Sequence, residues 1–217
     1  KVGVLITNLG TPEAPTKKAL RPYLKEFLSD PRVIETPKLI WQVILNGVNL
    51  NTRPAKSAKS YKSVWTDSGS PLYDIAKKQQ AQLAKALPNL VVGLAMRYGN
   101  PSIESQLIKM RDQGVRKILI FPMYPQYCAA TTASTFDKVA QVLTKWRWIP
   151  EVRFINEYYQ DELYVEALAN SIKAFRKEHG TPDLTVFSYH GIPKAYLDKG
   201  DPYHCFCHAT TRLVKEH

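Results

Sequence analysis

His190 stands in FSYHGIP (residues 187–193), where an apolar run ends on an aromatic, a histidine, a glycine and a proline. An imidazole with a pKa near ~6.5 is largely a free base at neutral pH, able to take a proton or ligate a metal ion. Two other clusters carry a cation, rings and turn residues. Arg97 and Tyr98 open RYGNPSI, and Tyr124 and Gln126 lie in PMYPQY. Flat rings beside a guanidinium suit a flat, anionic ligand. HCFCH, residues 204–208, places two histidines and two cysteines within five positions. Its Cys205-x-Cys207 spacing differs from the Cys-x₂-Cys of structural zinc loops, so inert thiols are the expected reading.

The elements that must position these groups follow from hydrophobic periodicity. Short apolar, β-branched runs at 2–7, 90–95, 117–121, 152–155 and 184–187 predict strands covered on both faces. Helical patterns lie between them, at 74–87, 103–113, 134–146 and 161–179. Ser102 is placed to cap the second of these and Gly114 to end it. Strand alternating with helix predicts an α/β fold, a parallel sheet flanked by helices. Ligands of such sheets bind outside the carboxyl ends of the strands. The clusters at Leu9, Arg97, Tyr124 and His190 all follow predicted strands. An insertion at about 12–70 is far longer than an ordinary crossover and reads as a lid or substrate lip. No glycine-rich phosphate loop is present, which argues against a nucleotide-binding regulator.

Thirty lysines and arginines against nineteen acids give a formal charge of +11, scattered with no basic run longer than two. That pattern favours a small acidic ligand or an anionic membrane surface over nucleic acid. Three cysteines fit a reducing cytosol. The oiliest stretch, residues 37–50 (PKLIWQVILNGVNL), is too short to span a bilayer. It reads either as a core helix or as a hydrophobic lip resting on the membrane, helped by Lys17, Lys18, Lys25 and Lys38. The chain starts on a strand at Lys1 and stops within a helical pattern at His217, so a piece of a longer protein is expected.

NLGTP, RYGNPSI, YPQY followed by TTAS, SYHGIP and GDPYHCFCH occur in an order and spacing that resembles ferrochelatases of the bacterial type, from Gly3 to about His208. The resemblance implies a lyase that inserts ferrous iron into protoporphyrin IX, the last step of haem biosynthesis. It implies two similar α/β halves, the first nearly complete at 1–160 with its inserted segment, the second only begun at 161–217. His190 matches the histidine held to accept a pyrrole proton or ligate Fe²⁺. Arg97 and Tyr98 match a pocket-lining pair, Arg53, Tyr61 and Ser70 propionate contacts, and Tyr124 and Gln126 the pocket wall. Leu9 stands where relatives carry tyrosine or methionine and cannot itself reach a metal. No cofactor is implied beyond the substrate iron. Some relatives hold an iron–sulfur cluster, for which Cys205 and Cys207 are the alternative metal ligands here. The family pairs its histidine with a later glutamate, so these residues alone are expected to be catalytically incomplete. A cytoplasmic location, peripheral to the inner membrane, is implied as well. The rival readings are a chelatase for cobalt or coproporphyrin and a non-catalytic porphyrin or haem carrier.

Overall fold

Strand β1 (Val2–Gly10) alternates its side chains between two buried faces, and this organises the larger part of the molecule. Leu5 joins Ala95, Ile118 and Ile120 against Ile103, Leu107, Met110, Val139 and Val142. Val4 and Ile6 point the other way and join Leu94, Met96 and Ala76. A strand buried on both sides has no use for polar residues on either face, which explains its continuous apolar run. The computed structural model describes all 217 residues and divides them into two compact units. The first contains residues 1–123 and 129–155, the second residues 124–128 and 156–217.

In the first unit β2 (Val91–Tyr98), β3 (Lys117–Pro122) and β4 (Glu151–Phe154) join β1 in one parallel sheet of order β2-β1-β3-β4. The chain therefore leaves β1 to one side for β2 and crosses to the other for β3. Such an order reversal opens a crevice at the carboxyl edge between β1 and β3. Helices α5 (Ile103–Asp112) and α6 (Ser134–Leu143) cover one face of the sheet, and α4 (Pro71–Ala86) covers the other. The Ser102 hydroxyl caps α5 by accepting from the Ser105 amide at 3.1 Å, and Gly114 follows with φ of 79°.

The long insertion is helical. It comprises α1 (Lys17–Leu28), α2 (Lys38–Ile44), a π-helical turn (Leu45–Asn49) and α3 (Leu50–Val64). Pro54 lies inside α3 and has no amide to donate to the Leu50 carbonyl four residues earlier. The Arg21 guanidinium donates to that carbonyl instead, at 2.7 Å, and so ties α1 to α3.

The second unit is built on α7 (Glu162–His179) and α9 (Tyr203–Glu216), packed through Val165, Ala169 and Val214, with the short α8 (Lys194–Asp198) between them. Here one sequence expectation fails. Residues 184–187 form no strand, and Leu184 and Val186 are each 76% exposed. The apolar pattern is that of a buried strand, but no segment of the chain pairs with it, and a strand without a ladder has nothing to hold it.

Gly10 marks where β1 ends at the site edge. It sits at φ 109°, and a Cβ there would lie 1.8 Å from the Tyr98 carbonyl oxygen across the ladder. Gly10→Ala should therefore cost at least about 3 kcal/mol, because both strain and a backbone clash must be relieved. Urea denaturation followed by circular dichroism measures this, and a change under about 1 kcal/mol would contradict it.

Candidate functional site

At the carboxyl end of β2, Arg97 and Tyr98 are not turned outward. Asp30, only 5% exposed just beyond the end of α1, draws both into one network. The Tyr98 hydroxyl donates to Asp30 Oδ2 at 2.8 Å and lies 3.1 Å from Ser134 Oγ. The Arg97 guanidinium donates through Nη2 to the same carboxylate oxygen and through Nε to the Ser134 carbonyl and hydroxyl. Ser134 Oγ also donates to Asp30 Oδ2, and the Arg32 amide donates to Oδ1 at 2.8 Å. Tyr98 is 0% exposed, and burial pushes its phenol well above the usual tyrosine range.

This corrects the expectation that the pair lines a pocket by direct contact. Tyr98 has no surface open to a ligand, and Arg97 has its charge already matched by Asp30. The network's other two members, Asp30 and Ser134, were not singled out by sequence reasoning. Their visible signals were the Asp-Pro turn at Asp30-Pro31 and the serine in TTAS.

Leu9 and Tyr61 pack with Tyr98 in one apolar cluster together with Tyr23, Leu24, Leu45 and Leu50. Tyr61 meets the Tyr23 ring edge-on at 6.3 Å, and the Tyr23 hydroxyl donates to the Gly10 carbonyl at 3.2 Å. Leu9 is thus part of the packing that seats the inserted helices. Ser70 is buried at the N-cap of α4 without making a side-chain cap bond. Arg53 differs from both: it is exposed on α3, with no carboxylate within ion-pair distance. Of the three expected propionate contacts, Arg53 alone offers an unmatched charge.

In the second unit His190 is exposed in the extended loop that replaces the expected strand. Its Nδ1 lies 2.8 Å from the Gly191 carbonyl oxygen. A carbonyl can only accept, so in the neutral ring Nδ1 carries the proton and Nε2 keeps its lone pair. Gly191 itself has open space around its Cβ position and no positive φ, so the backbone freedom of glycine is not required there. His190 lines a cavity of about 670 Å³ with Phe187, Tyr189, Tyr203 and Cys207 among its walls. Tyr203 lies on the same wall, and burial raises its pKa to about 12. Tyr203, inside the GDPYHCFCH tag but unassigned from sequence, shares this cavity wall with His190. Gln126 donates to Thr210 Oγ1 at 2.9 Å, and this bond braces the 124–128 segment against α9. Tyr124, in the same segment, is half-buried.

The cysteine pair does not form a ligand set. Cys205 and Cys207 lie two positions apart on α9, which separates them by about 200° around the axis. Cys205 is exposed and Cys207 buried, so one ion cannot be held by both. Burial raises the Cys207 thiol above its ordinary range.

An open, doubly wound parallel sheet flanked by helices defines the first unit as an α/β fold, and the second unit presents an imidazole beside a cavity. The chain belongs to the ferrochelatase family: the family model described as Ferrochelatase matches residues 1–217. The ferrochelatase of Idiomarina loihiensis is 56% identical over 221 residues, covering 100% of this chain and 61% of the relative. That of Thioalkalivibrio sulfidiphilus is 54% identical, covering 99% and 60%. Ferrochelatase 2 of Shewanella oneidensis is 54% identical, covering 100% and 67%. The chain thus spans about 60% of the length of most of the curated relatives it matches.

Replacing Asp30 by alanine would leave the Arg97 guanidinium and two hydroxyls without their shared acceptor. A loss of about 3–5 kcal/mol in unfolding free energy is expected. Chemical denaturation measures it, and a change below about 1 kcal/mol would mean that the network carries little of the fold.

Proposed function

We propose that these residues supply the histidine half of an active site that inserts ferrous iron into protoporphyrin IX. The observation that carries this reading is the His190 ring, its Nδ1 facing the Gly191 carbonyl and its Nε2 lone pair free beside a cavity. Insertion exchanges one Fe²⁺ for two pyrrole N–H protons, so a base is required on the macrocycle. Nε2 accepts one such proton and the second passes to solvent water, and the two freed nitrogen lone pairs then take the metal. The exposed Arg53 guanidinium suits a propionate carboxylate through two parallel hydrogen bonds, and the diffuse positive charge steers a dianionic substrate toward the protein. Arg97 and Tyr98 act through position: with Asp30 and Ser134 they hold the end of β2 in place.

In a full-length protein carrying these residues, His190→Ala should lower the insertion rate about 10²–10⁴-fold while porphyrin binding, read from the Soret band, persists. Normal insertion by that variant would remove His190 from the chemistry. A protein that binds porphyrin but forms no haem would be a carrier instead. Competition between Fe²⁺ and Co²⁺, and between protoporphyrin and coproporphyrin, sets the specificity.

The inserted helices suggest how an apolar substrate is collected. Trp41, Leu45 and Leu50 turn inward, and the Trp41 indole donates to the Leu28 carbonyl. Leu39, at 85% exposure, Ile40, Val43 at 75%, Ile44 and Val48 turn outward, with Lys38 beside them. A helical segment apolar on both faces packs with one and is left greasy on the other. No helix is long and apolar enough to cross a membrane. The outward stripe suits contact with the membrane interface, and nearby lysines suit anionic lipid. The double substitution L39D/V43D should reduce recovery with phosphatidylglycerol vesicles in flotation several-fold. Undiminished flotation would end the membrane reading.

A further inference from the structure

The chemistry in HCFCH that the cysteines do not supply is carried by its histidines. His204 and His208 lie one helical turn apart on α9, a separation that stacks side chains on one face. Both are exposed, their ring centres are 4.5 Å apart, and their planes meet at 66°. Two imidazoles sharing one tetrahedral ion through metal–nitrogen bonds of about 2.0–2.1 Å place their ring centres on the order of 5 Å apart. The pair already stands within a small rotamer adjustment of that geometry.

The surroundings favour a cation. His204 and His208 line the same cavity as His190, and no lysine or arginine is among its walls. The nearest basic group on the helix, Arg212, is turned to Glu216, with 3.0 Å to each carboxylate oxygen. The other titratable groups facing the cavity are Tyr189, Tyr203 and Cys207. Burial favours the neutral form of both Tyr203 and Cys207.

We propose that His204 and His208 bind one borderline divalent cation, such as Fe²⁺, Zn²⁺ or Co²⁺, as a two-imidazole chelate completed by water at the rim of the cavity that holds His190. Imidazole suits these metals, and two ligands with open positions bind reversibly enough to release the ion. The purpose assigned here, a waiting station for substrate metal before it enters the porphyrin, rests on the proposed iron insertion. The binding itself does not.

The test is Zn²⁺ titration of the full chain without porphyrin, by dye competition at pH 7.0, with imidazole nitrogen shifts read by ¹⁵N NMR. His204→Ala and His208→Ala should each weaken binding at least about tenfold, whereas His190→Ala should leave it within about twofold. The ¹⁵N shifts should move at His204 and His208 on addition of Zn²⁺. Both side chains are exposed, and unchanged circular dichroism spectra check that the variants fold. Wild-type affinity in either the His204 or the His208 variant would overturn the proposal. So would abolition by His190→Ala, which would place the metal at the insertion centre alone. Normal Zn²⁺ binding in a full-length protein that makes no haem would fail the functional reading and leave the chelate standing.

Discussion

A single buried carboxylate holds the site-bearing edge of the first unit. Asp30 accepts from Arg97, Tyr98, Ser134 and the Arg32 amide, and these four donors come from the ends of β2, the start of α6 and its own turn. A charge taken out of water is costly, and an ion pair so buried contributes little net stability over an apolar replacement. Its effect is geometric. With its acceptor in place each donor is satisfied in one arrangement, and without it a guanidinium and two hydroxyls lose their common partner. The apolar cluster around Tyr98 then fixes where the inserted helices rest, because Leu9, Tyr23 and Tyr61 pack on the same side of the sheet edge.

The second unit follows a different logic. Its helices pack through a few small and branched side chains, and its histidine lies in a loop stabilised by local bonds rather than by a ladder. The Gly191 carbonyl selects the tautomer, Tyr203 lines the same wall, and the ring stays open to the cavity. The ring is thus exposed with one nitrogen tethered. Tyr98, buried and neutral, is its opposite: a polar group used to set position.

Much of the fold was readable in order along the chain. The four strands of the sheet and the helices α4 to α7 fall within a few residues of their expected places, because buried parallel strands and amphipathic helices leave plain periodic signals. The amphipathic signal did not give every orientation: Ile75, apolar in the α4 pattern, faces solvent. The apolar run at 184–187 misled for a related reason, since composition reports a preference for pairing and not the presence of a partner. The site was legible as chemistry but not as roles. Arg97 and Tyr98 were visible as a cation beside a ring, yet nothing local says that an aspartate 67 positions away takes the cation. Cys205 and Cys207, expected as inert thiols with metal binding only the alternative, are turned apart by the helix, and the same helix brings His204 and His208 together.

Residue types and their spacing by themselves determined the α/β class, the strand and helix order, the segments that carry chemistry and the family they resemble. Each of these is written in local periodicity or in short collinear motifs. Which polar groups face a ligand and which are spent on one another was decided only by the tertiary structure. Burial and pairing depend on residues distant in the chain, and a carboxylate such as Asp30 changes the meaning of an arginine it meets only after folding. The physical reason is that an ionisable group's role is set by its solvent exposure and its partners, neither of which is a property of sequence neighbours.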